Sequence, residues 1–297
     1  LKLSGNTTNL SSPKTVKTLL FKYGIKPGYS LGQCFLIDRN ILSLVIEMAD
    51  INKNDHILEI GPGAGVLTVE LANRAAKVTA IEMDIKFKPL LHSIFGNDNS
   101  VEFIWGDANK FGLSGDKMKQ FTKIVSNLPY SSASRILAEI VTGKYCPARI
   151  VVMVQKEVAE RIIAEATHPR RGLLSTWIQA KYSPRIVKKI SRNCFWPKPQ
   201  VESALVCLEK LAMPVVNLMF ESTYFEITKL CFQHRRKQVG TIISHIFKES
   251  DAVLKNAGIK PSSRTDELSV EEWSKLAEVI YWKKKEGEEN VHDRFCG

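Results

Sequence analysis

The stretch that decides the fold is Glu59-Ile60-Gly61-Pro62-Gly63-Ala64-Gly65. A short apolar run, His56-Ile57-Leu58-Glu59-Ile60, leads into it, and helix-period sequence from Val66 to Ala75 follows. Strand, glycine turn and helix in that order form the ligand-binding turn of doubly wound sheets. Alternate glycines let the backbone turn tightly and bring a ligand against the outward-pointing amides of the helix start. Taken alone, the stretch leaves a structural tight turn as the alternative. The spacing is not Gly-x-Gly-x-x-Gly, because residue 66 is Val, which counts against a nicotinamide-dependent dehydrogenase. No Lys follows the glycines to grip phosphates, which counts against a nucleoside triphosphate.

Outward from this turn the pattern alternates. Ile41, Leu44, Val45 and Met48 fall at i, i+3, i+4 and i+7, one face of a helix. Strands are expected at Val78–Ile81, Val101–Trp105, Lys123–Ser126 and Arg149–Val154, with a helix from Ser132 to Val141. Such alternation builds a mainly parallel sheet covered on both faces. Strand candidates at Arg185–Ile190 and Ser203–Leu208 extend it, with an antiparallel hairpin at one edge as one arrangement. After Leu211 strand patterning stops, and Phe225–Phe232, Val239–Phe247 and Glu271–Tyr281 read as helices. The expected division is a basic arm over 1–30, ordered or disordered, an α/β domain over 31–210 and a helical domain over 211–297 with a solvated, charged tail.

Two carboxylates sharpen the glycine turn. Glu82 closes the second sheet strand, 21 residues after Gly61, where a carboxylate accepts from both hydroxyls of an adenosine ribose. Asp107, in Gly106-Asp107-Ala108, closes the third, where it accepts from an adenine amino group. Each alone is an ordinary exposed acid. Together with the glycines they resemble the S-adenosylmethionine site of class I methyltransferases, at the carboxyl ends of parallel strands.

Asn127-Leu128-Pro129-Tyr130 ends the fourth strand. As an isolated tetrapeptide it is strand-to-turn punctuation; here it resembles the (Asn/Asp)-Pro-Pro-Tyr or Asn-Leu-Pro-Tyr element of amino-methyltransferases. The residue types suit the chemistry. The exocyclic nitrogen of adenine is a poor nucleophile because its lone pair is delocalised into the ring. The Asn127 side-chain oxygen and the Leu128 carbonyl accept its two N–H bonds, which favours a pyramidal nitrogen. Pro129 stiffens the turn, and Tyr130 stacks on a base flipped out of its helix. Phe195, in a loop made rigid by Pro197 and Pro199, is a candidate second wall of that base pocket, or a loop anchor.

Composition bounds the rest. The 297 residues are 44% hydrophobic and 25% charged, ordinary for a globular chain. No apolar run reaches the roughly 18 to 20 residues a membrane span needs. The first residues lack the apolar core of a secretory signal, so a cytoplasmic protein is expected, or an organellar one if the first segment is the remainder of a processed transit peptide. Six scattered cysteines make no zinc spacing, so reduced thiols and no metal are expected. The net charge of +11 favours a polyanionic partner. Residues 1–37 hold five lysines and no acid, and residues 227–248 five Lys or Arg and no acid. Such clusters hold phosphates, although any single lysine reads as a solvated one.

The order Leu31-Gly32-Gln33-Cys34-Phe35-Leu36, glycine turn, Glu82, Asp107, Asn127-Leu-Pro-Tyr130 and Phe195-x-Pro-x-Pro-x-Val-x-Ser203 resembles the rRNA adenine N6-dimethyltransferases of the KsgA and Erm types. Phe232-Gln-His-Arg235-Arg236-Lys237 and Gly258-Ile-x-Pro-x-x-Arg264-x-x-Glu267-Leu-Ser269 are similar to the KsgA type. The resemblance implies a Rossmann-like class I methyltransferase with a seven-stranded, mainly parallel sheet and a small helical C-terminal domain. It implies S-adenosylmethionine held by Gln33, Leu36, Glu59, Gly61, Gly63, Glu82, Asp107, Ala108 and Asn127. Catalysis falls to Asn127, Leu128, Pro129, Tyr130 and Phe195, and RNA contact to Arg235, Arg236 and Lys237. The implied substrate is a pair of adjacent adenosines near the 3′ end of small-subunit rRNA, each dimethylated on N6 by a monomeric enzyme acting on a pre-assembled small subunit. Rival readings are an Erm-type enzyme of the large subunit and a nucleic-acid-binding assembly or transcription factor. One departure stands out: the family usually has Asn or His where this chain has Cys34. A side-chain contact there alters cofactor affinity, whereas a backbone contact changes little.

Overall fold

The computed structural model describes residue 10 and residues 12–28, 33–96 and 98–295, with side chains to residue 286. Leu31 and Gly32 of the quoted segment, and residues 1–9 of the expected arm, lie outside the described residues. The chain divides into two compact units, Leu1–Ala159 with Pro184–Lys210, and Glu160–Ser183 with Leu211–Gly297.

The first unit runs α1 (Pro13–Lys22), β1 (Phe35–Leu36), α2 (Arg39–Ala49), β2 (His56–Ile60), α3 (Val66–Ala72), β3 (Lys77–Glu82), α4 (Lys88–Phe95), β4 (Val101–Trp105), β5 (Lys123–Asn127), α5 (Ala133–Thr142) and β6 (Arg149–Gln155). After α6 (Lys156–Ile162) and α7 (Leu173–Lys181) come β7 (Tyr182–Ile190), β8 (Phe195–Trp196) and β9 (Ser203–Lys210). Seven strands form one sheet in the order β4-β3-β2-β5-β6-β9-β7, and β1 pairs with β8 in a second, two-stranded sheet. The β3–β4, β2–β3, β2–β5 and β5–β6 pairs are parallel, and β9 runs antiparallel to β6. Central β6 is buried on both faces from Ile150 to Val154, which explains its unbroken apolar run.

The strand order reverses at β2 and β5, and that is where the sheet opens. The β2–β5 ladder covers Ile57 and Leu58 against Lys123 and Ile124. Beyond it the Ile60 amide donates to Ser126 Oγ at 2.8 Å, so the two strands part toward their carboxyl ends. The opposite end is fastened: Lys123 Nζ lies 2.9 Å from Asp55 Oδ2, both side chains nearly buried. A doubly wound sheet binds its ligand at such a reversal.

Residues 13–22 of the basic arm, whose order the sequence leaves open, form a helix. Ser12 caps α1 by accepting from the Thr15 amide, Pro13 opens its first turn, and Val16 and Leu20 are buried one turn apart. That short apolar stripe is diluted in the sequence by lysine and threonine.

The second unit adds α8 (Glu221–Gln233), α9 (Val239–Ser244), α10 (Ser250–Asn256) and α11 (Val270–Phe295). It also takes residues 160–183, which the sequence reading placed in the α/β domain. The reason is packing of α7 on α8. Trp177 Nε1 donates to Thr228 Oγ1 at 2.9 Å, the Tyr224 hydroxyl donates to the Thr176 carbonyl at 2.9 Å, and Lys181 pairs with Glu221 at 3.0 Å. The expected solvated tail continues as helix α11. Ser269 and Glu272 begin that helix with reciprocal bonds, each side chain accepting from the other's amide. The 258–269 motif is explained the same way. The Val239 and Gly240 amides donate to the Ser263 and Pro261 carbonyls, and Arg264 N donates to Glu267 Oε2.

Candidate active site

A cavity of about 230 Å³ lies within the first unit at the carboxyl ends of β2, β3 and β5. Gln33, Leu36, Glu59, Gly61, Gly63, Glu82, Asp107, Ala108 and Asn127 through Tyr130 all line it, so the structure gathers residues spread over almost 100 positions of sequence. Gly63 sits at φ +53°, and a Cβ there would come within 2.8 Å of Phe35 Cε1. The Phe35 ring is itself held edge-on to Phe87, 5.9 Å between centroids, so it has little room to retreat. Glycine is therefore required at 63 by close approach as well as by backbone conformation.

Glu82 holds the turn in place. Its Oε2 accepts from the Gly63 amide at 3.0 Å and its Oε1 from the Asp84 amide at 2.9 Å. Burial nevertheless pushes its carboxyl above the ordinary range. Asp107 Oδ1 accepts from the backbone and side-chain nitrogens of Asn109, which holds that carboxyl below the usual range. Glu59 is 1% exposed, and its Oε2 has no hydrogen-bond partner among the described residues. Burial, with Glu82 nearby, pushes its carboxyl up to about 8. A buried, unpaired acceptor costs free energy until a donor or a cation reaches it.

Asn127 shows the same incompleteness at the other side of the cavity. Its Nδ2 donates to the Cys34 backbone carbonyl at 2.8 Å, and its Oδ1 is shielded from solvent with no partner among the described residues. A carbonyl only accepts, so the amide nitrogen must face Cys34, and the oxygen is left as a free acceptor. Cys34 thus reaches Asn127 through its backbone carbonyl, while the residue also lines the cavity. The Tyr130 hydroxyl is hydrogen-bonded to Ser203 Oγ, and burial pushes it up to about 12. Ser203, which closes the Phe-x-Pro-x-Pro-x-Val-x-Ser segment, thus fixes the tyrosine ring. Residue types alone gave no sign of that pairing.

Two expectations need correction. Phe195 does not line the cavity: it is 2% exposed, is paired with Leu36 across the β1–β8 ladder, and belongs to the core. Its packing is that of a loop anchor. Arg235 is bound within its own unit, 3.0 Å from Asp266 and 2.9 Å from the Pro169 carbonyl, whereas Arg236 and Lys237 are exposed. Gln33 lines the cavity with its amide already engaged, accepting from the Gly28 amide at 2.8 Å and donating to Asp84 at 3.0 Å. Asp84 was not foreseen. The Gln33 bond and the Glu82–Asp84 bond make it a link between the segment before β1 and the end of β3.

Comparison with known proteins agrees with this geometry. The family model described as ribosomal RNA adenine dimethylase matches residues 26–281. Ribosomal RNA small subunit methyltransferase A of Clostridium botulinum (strain Loch Maree / Type A3) is 37% identical over 269 residues, 89% of this chain and 98% of that protein. The Clostridium perfringens (strain SM101 / Type A) protein of the same name is 35% identical over 280 residues, 92% of this chain and 98% of its own. Among solved structures, a dimethyladenosine transferase from Plasmodium falciparum superposes with a TM-score of 0.69 at 24% identity, over 82% of this chain and 95% of that one. The 23S rRNA methyltransferase ErmE superposes at 0.64 and 23% identity, over 82% and 98%. Those two likenesses concern the fold, a Rossmann-like methyltransferase sheet, while the family match and the clostridial relatives carry the assignment: the chain belongs to the ribosomal RNA adenine dimethylase family.

Proposed function

We propose that this chain transfers methyl groups from S-adenosylmethionine to N6 of two adjacent adenosines near the 3′ end of small-subunit rRNA, twice on each. The observation that carries the reading is the free, shielded Asn127 Oδ1 beside the cavity. An orphaned acceptor on a rigid strand end is what an amine N–H requires. The small-subunit target rests on the two clostridial relatives.

The residues present fit the cofactor. Glu59 offers a buried unpaired oxygen to a cationic ligand, and Glu82 and Asp107 offer acceptors at neighbouring strand ends. When bound, S-adenosylmethionine supplies an electrophilic methyl on a sulfonium. The protein supplies position. Asn127 Oδ1 and the Leu128 carbonyl accept the two N–H bonds of the adenine amine and turn its lone pair out of the ring plane. Pro129 keeps that carbonyl in place, and Tyr130, tied to Ser203, gives the base a fixed face to stack on. No strong base is required, because the alkylated nitrogen is acidic once formed. Arg236 and Lys237 of the second unit provide exposed charge for phosphates.

The test uses labelled S-adenosylmethionine with unmethylated small subunits, naked small-subunit rRNA and large subunits in parallel, the product being mapped by mass. Dimethyladenosine only in small subunits is the expected result. Label in large-subunit RNA, or tight binding without label anywhere, would overturn it.

Two further results are expected. Cys34→Ala and Cys34→Asn should each leave turnover within about threefold of the wild type, because the bond to Asn127 comes from the backbone carbonyl. A large loss in Cys34→Ala, measured at saturating cofactor, would mean that the thiol itself matters. The second result concerns pH. A Glu59 carboxyl titrating at about 8 is mostly neutral at pH 7 and ionised above its pKa. Ionisation favours a cationic ligand, so cofactor affinity should rise by about tenfold between pH 7 and pH 9 and release a proton on binding at pH 7. The ligand's own amine titrates in the same range, so the comparison is with Glu59→Gln, whose calorimetric profile should lack this rise. Parallel profiles in the two proteins would remove Glu59 from the linkage.

A further inference from the structure

Helix α1 turns two unlike faces outward and inward. Val16 and Leu20 are buried, and Leu19 and Tyr23 pack against the same core. On the opposite side Lys14, Lys17, Thr18 and Phe21 recur at i, i+3, i+4 and i+7, a single stripe along the helix, and all four are exposed. Phe21 is 88% exposed, more than any other large apolar side chain among the described residues. The sequence holds no acid before Asp38, so this stripe is cationic with one bare aromatic ring in it. A lone exposed ring is ordinary on any surface, and what marks this one is its place within a row of cations.

The stripe leads to the cavity. Lys17 Nζ lies 5.3 Å from the centre of the Trp196 ring. Trp196 pairs with Phe35, which lines the cavity. Around β8 exposed basic side chains recur, Lys188 and Lys189 on β7, Arg192 in the turn and Lys198 beyond it, among exposed polar residues and one acid, Glu202. All of these residues belong to the first unit.

We infer that the outer face of α1 is an RNA-binding surface beside the active site, where Lys14 and Lys17 hold phosphates and Phe21 stacks on an unpaired base of the substrate strand. The inference rests on the proposed rRNA substrate for its biological partner, and on charge and geometry for its chemistry. Cations that track a backbone, interleaved with an aromatic ring, are how single-stranded nucleic acid is held without reading its sequence. A lipid surface fits less well, because a helix that lies on a bilayer inserts its apolar face, and here that face is already in the core. A protein partner fits less well, because a lone ring among lysines offers little area to bury.

The experiment measures anisotropy of a labelled oligouridylate with the full-length chain, alongside methylation of small subunits. Phe21→Ala should weaken oligouridylate binding by about tenfold, Phe21→Trp should retain it, and Phe21→Leu should not. The double change Lys14→Gln with Lys17→Gln should reduce the slope of log affinity against log salt by about 1.4, or about 0.7 for each phosphate contact. Turnover at saturating small subunits and cofactor affinity should stay at wild-type values, with unchanged melting curves showing that these exposed substitutions leave the fold intact. Unchanged oligouridylate binding in Phe21→Ala overturns the inference, and so does full oligouridylate binding by Phe21→Leu. Losses confined to intact particles would assign the face to a protein, and losses confined to anionic phospholipid vesicles would assign it to lipid. A wild-type chain that methylates no small-subunit RNA, yet loses oligouridylate binding in Phe21→Ala, would sink the proposed function and leave this surface standing.

Discussion

Asn127→Ala is expected to lower turnover by about a hundredfold to a thousandfold while leaving cofactor affinity within about twofold. The range is that of removing one oriented polar group that acts only as charge develops. Asn127 Oδ1 has no partner among the described residues, so its removal breaks no bond to them on that side. The loss should therefore appear in turnover rather than in folding. Asn127→Asp makes the sharper test. It keeps an oxygen toward the cavity, but its second oxygen faces the Cys34 carbonyl, where an N–H now donates at 2.8 Å. Two acceptors in that position repel, and the side chain rotates away. Turnover should fall nearly as far in Asp as in Ala. Single-turnover rates at saturating cofactor and RNA make the measurement, and retained turnover in the Ala variant would remove the proposed role.

The contrast between Asn127 and Phe195 shows what was legible in the sequence. Asn127 sits at the end of a strand whose apolar run is plain, and the sheet fixes where a strand end points. The strand from Arg149 to Val154 is readable for the same reason, since burial on both faces leaves an unbroken apolar run from Ile150 to Val154. Phe195 lies in a two-residue strand, too short for any period to show. An apolar residue in a rigid loop is compatible with a wall or an anchor, and only the pairing with Leu36 chooses between them. Residues 160–183 were misplaced because a helix pattern does not say which core its apolar face meets; the Trp177–Thr228 bond does. The motif that contains Arg235 does not show its partner, because Asp266 lies 31 residues away in sequence. The α1 helix was lost in a basic, polar background, although Ser12, Pro13 and the Val16–Leu20 spacing are its ordinary start signals.

Glu82→Ala is expected to weaken cofactor binding by about a hundredfold, with RNA affinity unchanged within about twofold. Two effects add. The ribose acceptor is lost, and the amides of Gly63 and Asp84 lose the carboxylate that now accepts from them at 3.0 and 2.9 Å. Glu82 is 7% exposed, so water reaches those amides poorly. The glycine turn then loosens on the side that faces the cavity, while the Phe35–Phe87 contact still limits it from the other. Glu82→Gln should fare little better than Ala. Each carboxylate oxygen accepts from a backbone N–H, so whichever way the amide is turned, its NH₂ meets a donor. Calorimetry with S-adenosylmethionine, set beside RNA binding by the same variants, separates the outcomes. Equal loss of both ligands with a lowered melting temperature would make Glu82 a scaffold residue, and cofactor affinity kept in Gln would mean that charge and two-fold acceptance are not what the site uses.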